Sequence, residues 1–392
     1  MASHPRVLAV GAGIAGPVLG MFLRRAGVEV AVFEGRPGPQ DEAGAFLNLA
    51  PNGRAVLDAL GVGEAVEAAG TPTTGIEFVN HRGKRIGYNA ERLVLIKRGA
   101  LNRVLREQAI RHGVSVEFAK RLVDVADDGS RVTARFADGT ETTGDVLVGC
   151  DGVHSMTRRA VLPDGPVPAY TGLVGTGGFV RLPDGSQPSP VMQMTFGLRA
   201  FFGYQVTPSG EIFWFQNTPE PTEPEPTDID DQERWKARLL DLHRDDHEPI
   251  PAMVQATDGG IGRFPIHDLA TLPSWHAGRV VLVGDAAHVM GPHTGQGSAM
   301  ALEDAMVLAM CLRDIPDVKQ ALAAYERIRR PRVERVVKLT RRIGNTKSPG
   351  PLGRPVRDRI LPLVLPLGFK QTAKIHDHRI DWDERVTTGA AT

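Results

Sequence analysis

Gly11, Gly13 and Gly16, in the run Gly11-Ala12-Gly13-Ile14-Ala15-Gly16, have the spacing of a turn that can carry a pyrophosphate. In such a turn the first glycine permits the tight bend, the second lets the backbone approach the phosphates, and the third lets helix and strand pack closely. A glycine-rich turn alone serves purely structural ends just as readily, so the flanks decide. Arg6 to Val10 is a short apolar run of strand type, and Pro17 to Ala26 carries Val18, Leu19, Phe22 and Leu23 at helical spacing. The free N–H groups of that helix start would face the phosphates. A second strand, Val28 to Phe33, ends in Glu34, about where this fold sets a carboxylate on an adenosine ribose, roughly 20 residues on. Arg36 just beyond it is counted with Gly11 through Gly16 and Glu34 as a candidate cofactor contact.

A second chemical stretch lies far along the chain. Arg279 to Val283 is a compact apolar strand closed by Gly284-Asp285, and a helical pattern starts near Gly295 and runs through Ala301, Leu302, Ala305, Leu308 and Ala309. Asp285 can accept hydrogen bonds from a polyol such as a ribityl chain, although an isolated Gly-Asp reads equally as a turn or helix cap. Gly295 and Gly297 at a helix start can aim N–H groups at an electron-rich ring edge, which would favour a reduced, anionic flavin. Two glycine-turn sites of these kinds in one chain point to FAD. A third stretch, Cys150-Asp151-Gly152-Val153-His154-Ser155, follows the apolar strand Val146 to Gly149 and precedes Arg158 and Arg159; as chemistry alone, Asp151-Gly152 is as easily a turn.

Taken in order, these motifs make the chain resemble the single-component FAD-dependent aromatic hydroxylases. That group includes para-hydroxybenzoate and salicylate hydroxylases, polyketide-tailoring hydroxylases and tetracycline-inactivating monooxygenases. The resemblance spans residues 5–345 and rests on Gly11-x-Gly13-x-x-Gly16, Asp151-Gly152 with Arg158, and Gly284-Asp285 with Pro292 and Gly295-x-Gly297. Arg98 matches the arginine that contacts FAD in the family, and Tyr325-Glu326-Arg327 with Arg329-Arg330-Pro331-Arg332 is similar to its late-helix signature. The resemblance implies that Asp151 and Arg158 shape the pyrophosphate region and that Pro292, Gly295, Gly297, Ser298 and Ala299 lie at the flavin. Ala299 stands where many members have asparagine, a lost side-chain contact.

The same resemblance implies the activity. NADPH or NADH reduces FAD, the reduced flavin reacts with O2 to give a C4a-hydroperoxide, and oxygen passes to an aromatic or polyketide-like small molecule. The flavin carries the difficult chemistry and the protein supplies position, a dry cavity and electrostatics. Only one complete dinucleotide fingerprint is present, so the nicotinamide would bind transiently in a groove. Glu34, assigned to FAD, does not discriminate NADH from NADPH. No residue is singled out as catalytic; Pro292, His293, Gly295 and Gly297 are the flavin-proximal candidates. His267, His288 and His293 could move a substrate proton or be ordinary polar residues. Alternatives are a flavin-dependent reductase or oxidase of the same fold and a non-catalytic, redox-responsive flavin-binding protein. The Trp-x-Trp-x-Ile-Pro signature of the halogenases is absent.

Stepping outward to what must position these groups, the chain reads as α/β: a Rossmann-like FAD-binding domain with an inserted β-rich substrate domain and a C-terminal helical segment. The expected division is 1–73, 97–169 and 259–345 for FAD, 74–96 and 170–258 for substrate, and 346–392 for the helical segment. Strand-like stretches occupy Thr74 to Ile96 and Tyr170 to Asn217, and the acidic, proline-rich Glu220 to Pro226 reads as an exposed loop. Nine of the 22 aromatic residues fall between Tyr170 and Phe215, which suits a pocket wall and a sheet packed on helices equally. Met192, Met194, Phe196, Phe202, Tyr204, Phe213 and Phe215 are the candidate substrate-pocket residues.

Composition excludes several other classes. The 46 basic and 46 acidic residues balance without a lysine-arginine block, against a nucleic-acid partner. Two cysteines, Cys150 and Cys311, are too few for a disulfide scaffold or thiolate metal cluster, and no metal is expected. There is no signal peptide, and the run Ile360 to Phe369, broken by Pro362 and Pro366, is far short of the roughly 20 residues of a span. A cytoplasmic monomer or homodimer is the expectation.

Overall fold

The computed structural model describes residues 5–41, 45–183, 185–225, 231–258, 260–346 and 354–389. Residues 1–4, Gly259, 347–353 and 390–392 of the expected segments, and Pro226 of the acidic loop, lie outside these.

Short apolar runs buried on both faces build a parallel sheet, as such runs must when helices cover each side. Its order is β16 (His276–Ala277), β17 (Val280–Leu282), β10 (Val146–Gly149), β1 (Val7–Val10), β2 (Val30–Phe33) and β6 (Ser115–Glu117). β1 lies between β10 and β2, parallel to both, with Val10 opposite Gly149 and Phe33; β17 runs parallel to β10 on the far side. The carboxyl ends of β17, β10, β1 and β2 therefore emerge side by side, and these are the ends that carry Gly284-Asp285, Cys150-Asp151, Gly11 and Glu34. Helix α1 (Ala15–Arg25) follows β1, and its Val18, Leu19, Phe22 and Leu23 are fully buried.

The second sheet has eight strands in the order β15 (Gly262–Asp268), β11 (Ala169–Val180), β14 (Ile212–Pro219), β13 (Phe201–Val206), β12 (Val191–Phe196), β4 (Thr71–Asn80), β5 (Arg85–Lys97) and β3 (Phe46–Leu49). Both edge strands, β3 and β15, come from segments expected in the FAD-binding domain, so the sheet reaches across the division drawn from sequence. One face packs Phe202, Ile212 and Trp214 against α6 (Gln232–His243) and α7 (Ile250–Gln255). The other carries Phe213, Phe215, Met192 and Met194 with Phe46 and Phe179. A small antiparallel sheet, β7 (Leu122–Asp127), β8 (Val132–Phe136) and β9 (Glu141–Gly144), fills the stretch between β6 and β10.

The remaining helices are α2 (Pro51–Ala59), α3 (Gly63–Ala68), α4 (Arg98–Arg111), α5 (Met156–Val161), α8 (Gly297–Asp314), α9 (Val318–Thr346) and α10 (Arg354–His376). α9 continues through Pro331, and α10 through Pro362 and Pro366, which had been read as interruptions. The C-terminal segment is helical only to His376. Beyond it the chain returns as coil to the first domain, where Trp382 stacks on Phe22 with ring centroids 4.8 Å apart and takes the Arg313 guanidinium on its face. Among the described residues no helix is long and apolar enough to cross a membrane.

α8 is held by a buried ionic network. Arg329 of α9, 1% exposed, donates to Asp304 Oδ1 and Glu303 Oε2, both at 2.7 Å. Arg332 donates to both Glu303 oxygens at 2.7 and 2.8 Å, and Asn52 of α2 adds a bond to Glu303 at 2.8 Å and one to Gln296 at 3.0 Å. Asp304 Oδ2 accepts the Gly284 N–H at 3.0 Å and contacts His288 Nε2 at 2.6 Å. Burial alone would raise the Asp304 carboxyl, but His288 and Arg329 outweigh it and hold it down to about 2. Removing one partner of such a network strands buried charge. Arg329→Met is expected to lower unfolding free energy by about 3–5 kcal/mol, read as a fall in the urea midpoint; an unchanged midpoint would show the network to be energetically idle.

Candidate functional site

The carboxyl ends of β17, β10 and β1 open into one cavity of about 1440 Å³ that extends to the aromatic face of the second sheet and to α10; Gly11, Ala12, Gly16 and Glu34 stand behind its lining. Its lining on the parallel-sheet side includes Gly13, Ile14, Ala15, Arg98, Cys150, Gly152, Asp285, Gly295, Gly297 and Ser298. On the other side stand Phe78, Met194, Phe196, Phe201 and Phe215.

The glycine turn is built as its spacing requires. Gly11 has φ +106°, and a Cβ there would lie 2.3 Å from the Cys150 carbonyl oxygen; a Cβ on Gly16 would lie 2.0 Å from the Gly11 carbonyl. Around Gly13 a Cβ would meet nothing within 4 Å, so the backbone there is open to the cavity. α1 has no side-chain cap at Ile14, and its first N–H groups face the same space. Glu34 accepts the Ala12 N–H at 2.9 Å and the Arg36 N–H at 3.0 Å, one on each oxygen. It thus ties the turn to the end of β2 and keeps a second lone pair on each oxygen. The Arg36 side chain is exposed and does not line the cavity; only its backbone N–H serves the site.

The middle motif acts from behind. Asp151 accepts from the Ser155 hydroxyl and from both the N–H and hydroxyl of Thr157, at 2.9 and 3.0 Å, while Ser155 caps α5 through the Arg158 N–H at 2.9 Å. α5 in turn aims Arg158, 5% exposed, at three carbonyls: Val153 at 2.6 Å, Ala286 at 3.1 Å and Asp285 at 3.4 Å. Neither Asp151 nor Arg158 lines the cavity. The Arg158 guanidinium is directed at backbone carbonyls and fixes the turn that carries Asp285.

Asp285 itself is half-buried, lines the cavity and accepts no hydrogen bond on its carboxylate from the described residues. Burial pushes its carboxyl above the usual range, with His288, Arg98 and Arg158 opposing. Such an acceptor fits polyol hydroxyls. Across from it α8 begins at Gly297 without a side-chain cap on Gln296, and Gly295 has φ +64° with open space where a Cβ would stand. Two uncapped helix starts, an open glycine turn and an unpartnered carboxylate on one cavity match the pyrophosphate, ring edge and ribityl chain of FAD. Ser298 lines the cavity, but Ala299 does not: it is fully buried, and a Cβ on Gly53 of α2 would come within 3.1 Å of it. Helix–helix packing leaves no room for asparagine at this position, which accounts for the departure.

The turn Pro292–Thr294 packs against α9. Thr294 Oγ1 bonds Thr340 Oγ1 of α9 at 2.7 Å, and the His293 ring sits so close to Gly344 that a Cβ there would lie 2.6 Å from it. His293 also lies 3.4 Å from Asn217 Nδ2, and His267 pairs with Glu223 at 3.0 Å; both line the cavity. His288 does not, being buried against Asp304.

Among the expected substrate-pocket residues, Met194, Phe196 and Phe215 line the cavity. Met192 and Phe213 share their face but sit behind them, packed with Leu95. Phe202 and Tyr204 point to the opposite face, where Phe202 stacks on Trp214 at 5.4 Å. The alternation on β13 is one residue out of the expected phase, and Phe201 takes the cavity position. Sequence also missed Phe46, Phe78, Asn89, Glu91 and His376, all of them cavity-lining and distant in the chain.

The FAD binding domain family matches residues 5–340. Aurachin C monooxygenase/isomerase of Stigmatella aurantiaca is 34% identical over 348 residues, covering 86% of this chain and 88% of that one. The 6-hydroxynicotinate 3-monooxygenase of Pseudomonas fluorescens is 30% identical over 366 residues, covering 87% and 91%. The crystal structure of Klebsiella pneumoniae HpxO with FAD and uric acid superposes with a TM-score of 0.86 at 26% identity, over 96% of this chain and 97% of that one.

Asp285→Ala removes a charged acceptor worth about 1.5–3 kcal/mol, so FAD affinity is expected to fall roughly ten- to a hundred-fold. Titration of apoprotein with FAD by flavin fluorescence measures this, and wild-type affinity in the variant would remove Asp285 from the site.

Proposed function

The chain belongs to the FAD binding domain family of FAD-dependent aromatic monooxygenases, and on that footing we propose that it uses NADH or NADPH and O2 to hydroxylate an aromatic or polyketide-like small molecule. The observation that carries this reading is the continuity of the cavity. Gly13, Asp285 and the α8 N-terminus line the same cavity as Phe78, Phe196, Phe201 and Phe215. Bound FAD supplies the redox chemistry, accepting reducing equivalents from the nicotinamide and activating O2.

The protein's own share is placement. Gly13 and the N-terminus of α1 would hold the pyrophosphate, Asp285 the ribityl hydroxyls, Glu34 the ribose through its remaining lone pairs, and the N–H groups at Gly297 and Ser298 the ring edge. Arg98, at the start of α4 and lining the cavity, balances the Asp285 carboxylate and adds positive charge beside the cofactor. Asp151 and Arg158 position without touching. The aromatic floor sandwiches a planar substrate and excludes water from the reacting face. The relatives' named substrates, 6-hydroxynicotinate among them, support a small hydroxylated ring as occupant.

A reduced flavin open to solvent wastes NAD(P)H as hydrogen peroxide, so reduction is expected to wait for substrate. With a compound that is hydroxylated, the anaerobic rate of flavin reduction should rise at least about ten-fold, equivalent to about 1.4 kcal/mol off the barrier. Stopped-flow absorbance reads the rate, and isotopically labelled O2 with product mass reads oxygen insertion. Equal reduction rates with and without such a compound would refute the gating. NAD(P)H consumption that yields only hydrogen peroxide with every aromatic tested would refute the hydroxylase reading.

A further inference from the structure

One buried carboxylate–imidazole pair lines the cavity among residues given no role above. Asn89 and Glu91 lie on β5, and His376 ends α10; all three line the cavity, where Ile76 of β4 stands opposite Asn89 and Phe78 stacks on Phe369 of α10. One Glu91 oxygen pairs with His376 Nδ1, and the other accepts the Asn89 amide at 2.8 Å. The side chains of Glu91 and His376 are only 9% and 7% exposed. With Nδ1–H donated to the carboxylate, Nε2 carries the lone pair, and this nitrogen is buried with no protein partner. An acceptor left in that condition is unfavourable until a donor arrives.

The other charged groups near the ring act at its backbone. Arg332 of α9 donates to the Ile375 carbonyl at 3.0 Å while holding Glu303 of α8, and Arg379 donates to the His376 carbonyl. A carboxylate that orients one imidazole nitrogen and leaves the other as acceptor is the arrangement of a general base.

We propose that His376 is the proton acceptor for substrate, with Glu91 as its positioning residue, and that the cavity takes a planar aromatic or nitrogen-heteroaromatic ring bearing an acidic hydroxyl or ring N–H. The proposal rests on the hydroxylase reading above. In the step, the substrate O–H or N–H bond breaks, its electron pair stays on the ring, and the proton bonds to Nε2; Glu91 neutralises the imidazolium. The extra electron density makes ring carbons ortho or para to the heteroatom better nucleophiles toward the incoming oxygen. The reverse proton transfer to the oxygenated ring restores the neutral imidazole.

The test uses the full chain loaded with FAD and 4-nitrophenol, whose neutral and ionised forms differ in colour. Difference spectra against pH give the ionisation midpoint of the bound phenol. In the wild type it is expected at least one pH unit below that of the free compound, a ten-fold bias toward the ionised form. His376→Gln should abolish the shift with FAD content unchanged. Glu91→Gln, which keeps an oxygen for Nδ1–H and loses the charge, should retain part of it and moves the acid limb of kcat/KM even if His376→Gln folds poorly. A structural role would weaken binding equally at every pH without moving the midpoint. An unshifted midpoint in the wild type, or the same midpoint in wild type and both variants, overturns the proposal. If labelled O2 still enters products at wild-type rates in His376→Gln, the base assignment falls and the hydroxylase reading stands. If labelled O2 enters no hydroxylated ring even in the wild type, both fall.

Discussion

Two adjacent carboxylates in the middle of a buried helix set the geometry of the site. Glu303 and Asp304 on α8 can be charged there only because Arg329 and Arg332 of α9, Asn52 of α2 and His288 after β17 meet them, three separate parts of the chain. Taking such charges out of water is expensive unless every lone pair is satisfied. The requirement works as a locating device: Asp304 fixes the Gly284 N–H and thereby the turn that presents Asp285, Asn52 reaches Gln296 at the start of α8, and Arg332 reaches Ile375 at the end of α10. One network thus positions Asp285, the uncapped helix start and the end of α10.

The parallel sheet supplies the second constraint. Because β17, β10, β1 and β2 run the same way in adjacent register, their carboxyl ends form one rim, and residues separated by more than a hundred positions become neighbours. Binding in the crevice at those ends follows from the topology. Arg158 makes the rim rigid by tying the segment after β10 to the turn after β17 through carbonyls, so its charge is spent on the backbone and not on a ligand.

The eight-stranded sheet divides its aromatic residues between two jobs. Trp214 and Phe202 pack on α6 and α7 and hold the sheet together, while Phe196, Phe201 and Phe215 on the other face stay open to the cavity. Into this apolar wall the fold sets a single buried carboxylate–imidazole pair, where a polar substituent on a flat ring would find it.

Local sequence determined whatever depends on neighbours in the chain. Gly11-x-Gly13-x-x-Gly16 dictates its own turn because only glycine tolerates φ +106° beside the Cys150 carbonyl, and short all-apolar runs dictate buried parallel strands. The likeness of three ordered motifs to a flavoprotein family carried the cofactor and the fold. Tertiary structure decided what depends on which face a side chain takes and who meets it there. Phe201 rather than Phe202 faces the cavity because the strand's phase is set by pairing with β14 and β12, which no alternation within β13 reveals. Arg158 became a clamp because α5, held at its start by Asp151, turns it inward, and Ala299 is packed against α2 at Gly53. His376 lies 285 positions from Glu91, and only the folding of α10 across β5 brings the two together. A pair of that separation has no local signature, since its partners are chosen by packing and not by spacing.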